Sequence, residues 1–224
     1  PLALWQANWI KDLLQEYHSD LAVDIKIIKT SGDKIQDVPL AKIGGKGLFV
    51  KEIEEGLLKR EVDFAVHSMK DMPIIFPMNL CIACVTKREN PFDALISRNN
   101  IKLDDLPKGA KIGTGSLRRM SQLLYYRPDL KLIPLRGNLE TRLKKLETEG
   151  LDAIILAAAG LIRLGWSDRI TEIISPEVLL PAMGQGAVGI ETRKNDVDNQ
   201  IFLADIDHEE THYALDAERA LVSQ

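Results

Sequence analysis

The chain has 224 residues, 45% of them hydrophobic and 28% charged, a globular profile long enough for one large domain or two modest ones. An aromatic content of 5% and a net charge of −4 exclude a stacking platform or a basic coat for nucleic acid. No run approaches the ~18 apolar residues of a membrane span, and the two cysteines, Cys81 and Cys84, cannot staple a chain of this size.

The spacing of Leu2, Trp5, Trp9, Leu13 and Tyr17 predicts a helix over 2–17. VDIKIIKT (23–30) alternates as a strand. A glycine-rich stretch, KIGGKGLF (42–49), then opens the helix FVKEIEEGLLKR. DFAVHS (63–68) and LCIACVT (80–86) read as strands, with both cysteines in the second as buried or half-buried structural thiols. KIGTG (111–115) is a strand running into a turn before the helix SLRRMSQLLYYR. LKLIPLR (130–136) is a strand before the helix NLETRLKKLETEG. LDAIILAAAG (151–160) reads as one fully apolar strand at a sheet centre, and GAVGIETR (186–193) as another strand. The closing segment HEETHYALDAERAL is helical. Neither end carries a cap or a polar tail, so a fragment is expected.

Alternating strands and helices predict an α/β fold. TKRENPFDA (86–94) and LLPAMGQGAVG (179–189) interrupt the periodicity. The strand near 187–193 can therefore return to the first unit. The expected architecture is two lobes like those of periplasmic binding proteins, joined at a hinged cleft. Residues 1–86 and 187–204 form the first domain and 92–180 the second, with 205–224 the start of a small α+β third domain.

Ligands in such folds meet strand carboxyl ends and helix N-termini. Residues 111–145 carry nine cations against two acids. Arg118 and Arg119 stand on the first turn after GTGS, and Arg136 at a strand end before Gly137. Cations are ordinarily placed at helix C-termini, so their position at helix starts points to bound anions. Lys144 and Lys145 read as a solvated face. In VHSMKDMP (66–73) a strand gives way to Lys70 and Asp71, a candidate functional carboxylate kept ionised by its neighbour. IGGKG lacks the Ser or Thr of a phosphate loop and reads as a mobile lid carrying Lys42 and Lys46. His67 stands far in sequence from the other histidines, so no metal site is expected. These residues alone leave an enzyme and a binding protein both open.

GGKGLFVKEIE, DFAVHSMKDMP, IGTGSLRRMSQL, LRGNLETRL, DAIILAAAGLIRLG and LLPAMGQGAVGIE, in this order, resemble the porphobilinogen deaminase (hydroxymethylbilane synthase) family over the whole chain. The resemblance implies a transferase of haem and tetrapyrrole synthesis. It would deaminate and join four porphobilinogens into hydroxymethylbilane, primed by a dipyrromethane cofactor held covalently by a cysteine. It implies Asp71 as the catalytic carboxylate, steadying positive charge on pyrrole nitrogens. Lys70, Ser68, Thr114, Ser116, Arg118, Arg119 and Gln185 would contact the cofactor. Arg136, Arg142 and Arg163, with Lys42 and Lys46 of the lid, would bind the acetate and propionate groups of the substrate. A cytoplasmic monomer without nucleic-acid or membrane partners is expected. Two departures stand out: the family's first strand is absent before PLALWQ, and the attachment cysteine is expected beyond Gln224, since neither Cys81 nor Cys84 matches it. Serine is common in the family where this chain has Gly115, with little effect expected. The alternative is a non-catalytic anion-binding protein of the same two-lobed fold, which would need the arginines but not Asp71. A phosphoribosyl-type transferase would want an acidic pyrophosphate–metal motif, which is missing.

Overall fold

The structure, a computed structural model, describes residues 2–34 and 50–223. Helix α1 spans Leu2–Tyr17, as its spacing predicts. The buried stripe is Gln6, Ile10 and Leu14, one position round from the expected one, and Tyr17 is exposed. Residues 23–30 correct the sequence reading. Val23 and Ile25 are half-buried and Thr30 is buried, but Ile27 is 72% exposed, so the alternation breaks at 26–27, and among the described residues no strand pairs with the segment. Alternation sets which side chains face inward; a strand also needs a neighbouring backbone to exchange hydrogen bonds with.

After α2 (Lys51–Leu58), strand β1 (Phe64–Ser68) is followed by β2 (Leu80–Val85). The chain then crosses to a second sheet built from β3 (Asp93–Ser97), β4 (Lys111–Gly113), β5 (Lys131–Ile133), β6 (Ala153–Ala157) and β7 (Glu172–Ile173). Helices α3 (Leu117–Tyr126), α4 (Leu139–Thr148) and α5 (Ala158–Arg163) connect them. The apolar run expected as a strand over 151–160 is therefore β6 followed by α5: the chain turns helical at Ala158. A second crossing returns to β8 (Val188–Arg193), with α6 (Val197–Ala204) and α7 (Glu209–Val222) after it.

β8 lies between β1 and β2 in an antiparallel three-stranded sheet, as the return of the 187–193 segment required. The second sheet has the order β5-β4-β6-β3-β7, with β4 parallel to β5 and β6 and β3 antiparallel to β6 and β7. Its centre is apolar on every residue because both faces are covered. Leu95, Ala153 and Ile155 pack with Leu123 of α3, while Ala94, Ile96, Ile154 and Leu156 pack with Leu143, Leu146 and Leu161 of α4 and α5. In the first sheet Ile10 and Leu14 of α1 and Leu203 of α6 cover Val188, Ile190 and Cys84. Leu57 of α2 packs on Ala65 and Leu80. Cys81 is half-buried and Cys84 buried, both as free thiols.

The crossings touch each other. The Glu89 amide donates to the Gly186 carbonyl (3.0 Å), and a Cβ at Gly186 would stand 2.4 Å from the Glu89 carbonyl oxygen. Arg88 forks onto Glu218 of α7, which also accepts from the Gly184 amide (2.8 Å). No described helix is long and apolar enough to cross a membrane.

Candidate active site

Ser68, Lys70 and Asp71 sit where a strand ends. β1 runs out at Ser68 into a single 3-10 turn, Met69–Asp71. Met69 is 2% exposed and anchors this turn in the core, so Lys70 and Asp71, both exposed, are carried outward. Gly184, at φ +68°, packs its Cα against the Met69–Lys70 backbone, where a Cβ would meet Met69 atoms at 2.9 Å. Across the gap, β4 ends at Gly113, and Ser116 caps α3 by accepting from the Arg119 amide (3.4 Å). Asn138 caps α4 through the Thr141 amide (2.8 Å). The arginine-bearing helices thus begin at the gap between the sheets.

Ser68, Lys70, Arg119, Arg142 and Arg163 line one cavity of about 70 Å³ together with Leu2 and Gln6 of α1 and the glycines of the second crossing. Among the described residues no carboxylate lines it. The cations are poorly solvated there. Lys70 keeps contact with solvent, yet the protein packed around it pulls its pKa below the ordinary lysine value despite Asp71. Burial likewise lowers Arg142, helped by Arg119 and Arg136, and lowers Arg163 against the pull of Glu89. Arg142 is aimed by its Nε bond to the Gly137 carbonyl (2.7 Å). Arg163 donates to the Gly186 carbonyl (2.8 Å) and lies over the Trp9 ring at 5.5 Å. Asp71 is close enough to Lys70 and Arg142 for its charge to act on both.

The remaining predicted residues divide. Arg118, Arg119 and Gln185 meet at Asp93 rather than pointing free into the cleft: Arg119 Nη2 and Arg118 Nη2 each donate to its carboxylate at 2.7 Å, and Gln185 Nε2 does so at 2.9 Å. Burial pushes Asp93 up, but Arg119, Arg118 and Gln185 outweigh it and hold the carboxyl below its ordinary range. Thr114 is buried and accepts from the Ser116 amide (3.3 Å), so it shapes the turn. Arg136 is half-buried beside Arg142. Lys42 and Lys46 lie outside the described residues. Of the basic run, Arg127 belongs elsewhere: it forks onto Asp129 (2.7 and 2.8 Å) and binds the carbonyls of Leu103, Asp104 and Leu106.

Sequence reasoning missed three buried polar groups. Gln6 exchanges hydrogen bonds with Ser68 (3.1 and 3.3 Å) and is 3% exposed; its signal was a polar residue on the Ile10–Leu14 face. Asp93 looked like part of a charged boundary. Glu191, fully buried on β8, holds His67 Nε2 at 3.1 Å, so His67 is satisfied by a carboxylate. Among the described residues no cluster of His, Cys, Asp or Glu is arranged to hold a metal. A larger cavity of about 340 Å³ under α7, lined by Phe76, Cys81, Ile82 and Leu215 with Lys194, His212, Asp216 and Arg219 also lining it, shares only the Met69 anchor with this region and contains none of the predicted site residues.

A family model described as porphobilinogen deaminase, dipyromethane cofactor binding domain, matches residues 1–200. Porphobilinogen deaminases of Geobacter sp. (strain M21) and Desulforamulus reducens are each 57% identical over 221 residues, spanning 99% of this chain and 69% and 72% of the relatives. Among solved structures, a TRAP periplasmic solute binding protein of Desulfovibrio salexigens aligns at a TM-score of 0.52 with 11% identity, over 98% of this chain and 73% of that one. The L-cystine solute receptor of Neisseria gonorrhoeae aligns at 0.50 with 14% identity, over 94% and 78%. The latter two share the two-lobed fold alone. The chain belongs to the porphobilinogen deaminase family, and its matched region is that family's dipyrromethane-binding domain.

Proposed function

We propose that this chain catalyses the deamination and stepwise condensation of four porphobilinogen molecules into the linear tetrapyrrole hydroxymethylbilane. The observation that carries this reading is the cavity lined by Lys70, Arg119, Arg142 and Arg163 with Asp71 beside them. Porphobilinogen bears two carboxylates and a cation-forming ring. A site of desolvated cations with one carboxylate answers both. The first domain comprises 1–86 and 187–204 and the second 92–180, with 205–224 opening a third; the placement of β8 in the first sheet supports this division.

The donor set also fits the acidic dipyrromethane. Lys70 and Arg119, with Ser68, would hold it, helped by Arg118 and Gln185 at Asp93 and by Thr114 and Ser116 of the turn before α3, and as the chain grows Arg118 and Arg119 would also meet the carboxylates of arriving porphobilinogen. When bound, that group supplies the pyrrole carbon to which the first substrate is joined. Arg136, Arg142 and Arg163, with Lys42 and Lys46, bind the acetate and propionate groups of arriving substrate. Arg142 is oriented for this by the Gly137 carbonyl and Arg163 by that of Gly186. As ammonia leaves porphobilinogen with the C–N electron pair, positive charge is left on the ring. Asp71 stabilises that charge. A cavity of about 70 Å³ is far below the ~300 Å³ of a usual ligand site, so the lobes part about their two crossings to admit a pyrrole.

A cytoplasmic monomer without nucleic-acid or membrane partners is consistent with the net charge of −4. A purely anion-binding receptor would not need a carboxylate beside its cations. The test is Asp71→Asn in the cofactor-loaded enzyme. Porphobilinogen turnover should fall by roughly two to three powers of ten with folding unchanged; near-normal turnover of the variant would remove Asp71 from catalysis, whereas absence of turnover in the unmutated cofactor-loaded protein would return the chain to the receptor reading.

A further inference from the structure

We infer that Asp93 is a positioning residue for the cleft arginines, an assignment resting on the reading above that Arg118 and Arg119 bind acidic pyrrole side chains. Asp93 opens β3 and is fully buried. Its Oδ1 accepts from Arg119 Nε (3.0 Å), Arg119 Nη2 (2.7 Å) and Gln185 Nε2 (2.9 Å), and its Oδ2 accepts from Arg118 Nη2 (2.7 Å). Gln185 stands on the second crossing and also donates to the Pro91 carbonyl of the first (2.7 Å). One carboxylate therefore ties the start of α3 to both crossings of the hinge.

The two arginines are held differently. Arg119 is buried, with Nη1 on the Ile155 carbonyl (3.1 Å) besides its bonds to Asp93, so its orientation is fixed. Arg118 is half-buried, and its Nη1 rests on the Leu180 carbonyl (2.5 Å). A neutral carbonyl is a weaker partner for a guanidinium than a carboxylate. An acidic pyrrole side chain can therefore take the Leu180 place on Arg118 while Asp93 keeps the other edge of the fork. Two neighbouring guanidiniums repel, and the carboxylate between them fixes the angle at which the ligand meets them.

Positioning and plain charge balance give opposite outcomes. If Asp93 only neutralised the pair, Asp93→Asn would leave the cleft more positive and lower the KM for porphobilinogen. Positioning predicts that Asp93→Asn in the holoenzyme raises KM by about tenfold, with a smaller change in kcat. Asp93→Glu keeps the charge and moves the carboxylate by one methylene, which covers the case in which the buried Asn variant fails to fold. It should raise KM several-fold under positioning and leave it unchanged under charge balance. A KM that is unchanged or lower in folded Asp93→Asn, or unchanged in Asp93→Glu, overturns the proposal. Arg118→Met, assayed in parallel, separates the two levels: unchanged KM there overturns the underlying reading of the arginines, whereas raised KM there with normal Asp93 variants overturns the positioning role alone.

Discussion

The sharpest mechanical test of the hinge is Gly186→Ala. Gly186 has φ +89°, a conformation that costs an alanine about 1 kcal/mol. Its new Cβ would stand 2.4 Å from the Glu89 carbonyl oxygen and 3.2 Å from Pro91 Cα, both backbone atoms of the other crossing, where ordinary contact begins at 3.4 Å. No side chain can rotate away, so the crossings must separate by about 1 Å, weakening two hydrogen bonds worth about 1 kcal/mol each. Those bonds are Glu89 N–H to Gly186 O (3.0 Å) and Arg163 Nη2 to the same oxygen (2.8 Å). The sum is about 3 kcal/mol, or roughly a 6–12 °C fall in melting temperature at this size. Gly165→Ala is the internal control: its φ is +72° but nothing lies within 4 Å, so it should show the backbone cost alone, about 1 kcal/mol. Urea unfolding of both variants measures the difference, and porphobilinogen KM reports whether Arg163 has lost its aim. Equal losses in the two variants would refute the claim that the crossings bear on each other at Gly186.

Three further outcomes are expected. Glu54 is raised above its ordinary value by burial and by Glu191, against His67, so the native state binds extra protons above pH 4.5 and loses stability as pH rises through the raised value. Glu54→Gln should therefore stabilise the protein at pH 8 and do nothing at pH 4; destabilisation at pH 8 contradicts the assignment. Gly115→Ser, which the sequence suggested would matter little, places a Cβ 2.6 Å from the Leu135 carbonyl and should cost about 1–3 kcal/mol, unless thermal unfolding finds the two proteins equal. Arg142→Lys cannot both hold the Gly137 carbonyl and grip a carboxylate with two parallel bonds, so KM should rise several-fold; an unchanged KM would return Arg142 to a surface role.

Elements with strong periodicity and a cap were legible. Helix α1 and the helices capped by Ser116 and Asn138 lie where the spacing placed them. The return of β8 to the first sheet followed from the two interruptions at 86–94 and 179–189, which set off the segment between them. The errors share a cause, that apolar character does not say which backbone lies alongside. Residues 23–30 alternate in sequence but expose Ile27 and find no described partner, and the run through Ala158 changes from strand to helix without any change in hydrophobicity. β3 went unnoticed because its first residue, Asp93, looked like the end of a charged linker.

The same ambiguity hid half of the site. A charge in a sequence shows its sign but not its partner: Arg118 and Arg119 read as anion binders at a helix start and Arg127 as one more cation of the run, with no carboxylate assigned to any of them. In the structure Arg127 closes a surface loop on Asp129, whereas Arg118 and Arg119 converge on a buried Asp93. Asp71 stood out as a candidate because it follows a strand that stops, beside a lysine and before a proline. Asp93 did not, because what distinguishes it is complete burial at the point where two chain segments distant in sequence cross. Its net effect is to hold two cations where a single displaced carbonyl, that of Leu180, opens an edge of Arg118 to an anion. A cleft built this way keeps its arginines ordered before ligand arrives, so binding a carboxylate need not also order the side chains that receive it.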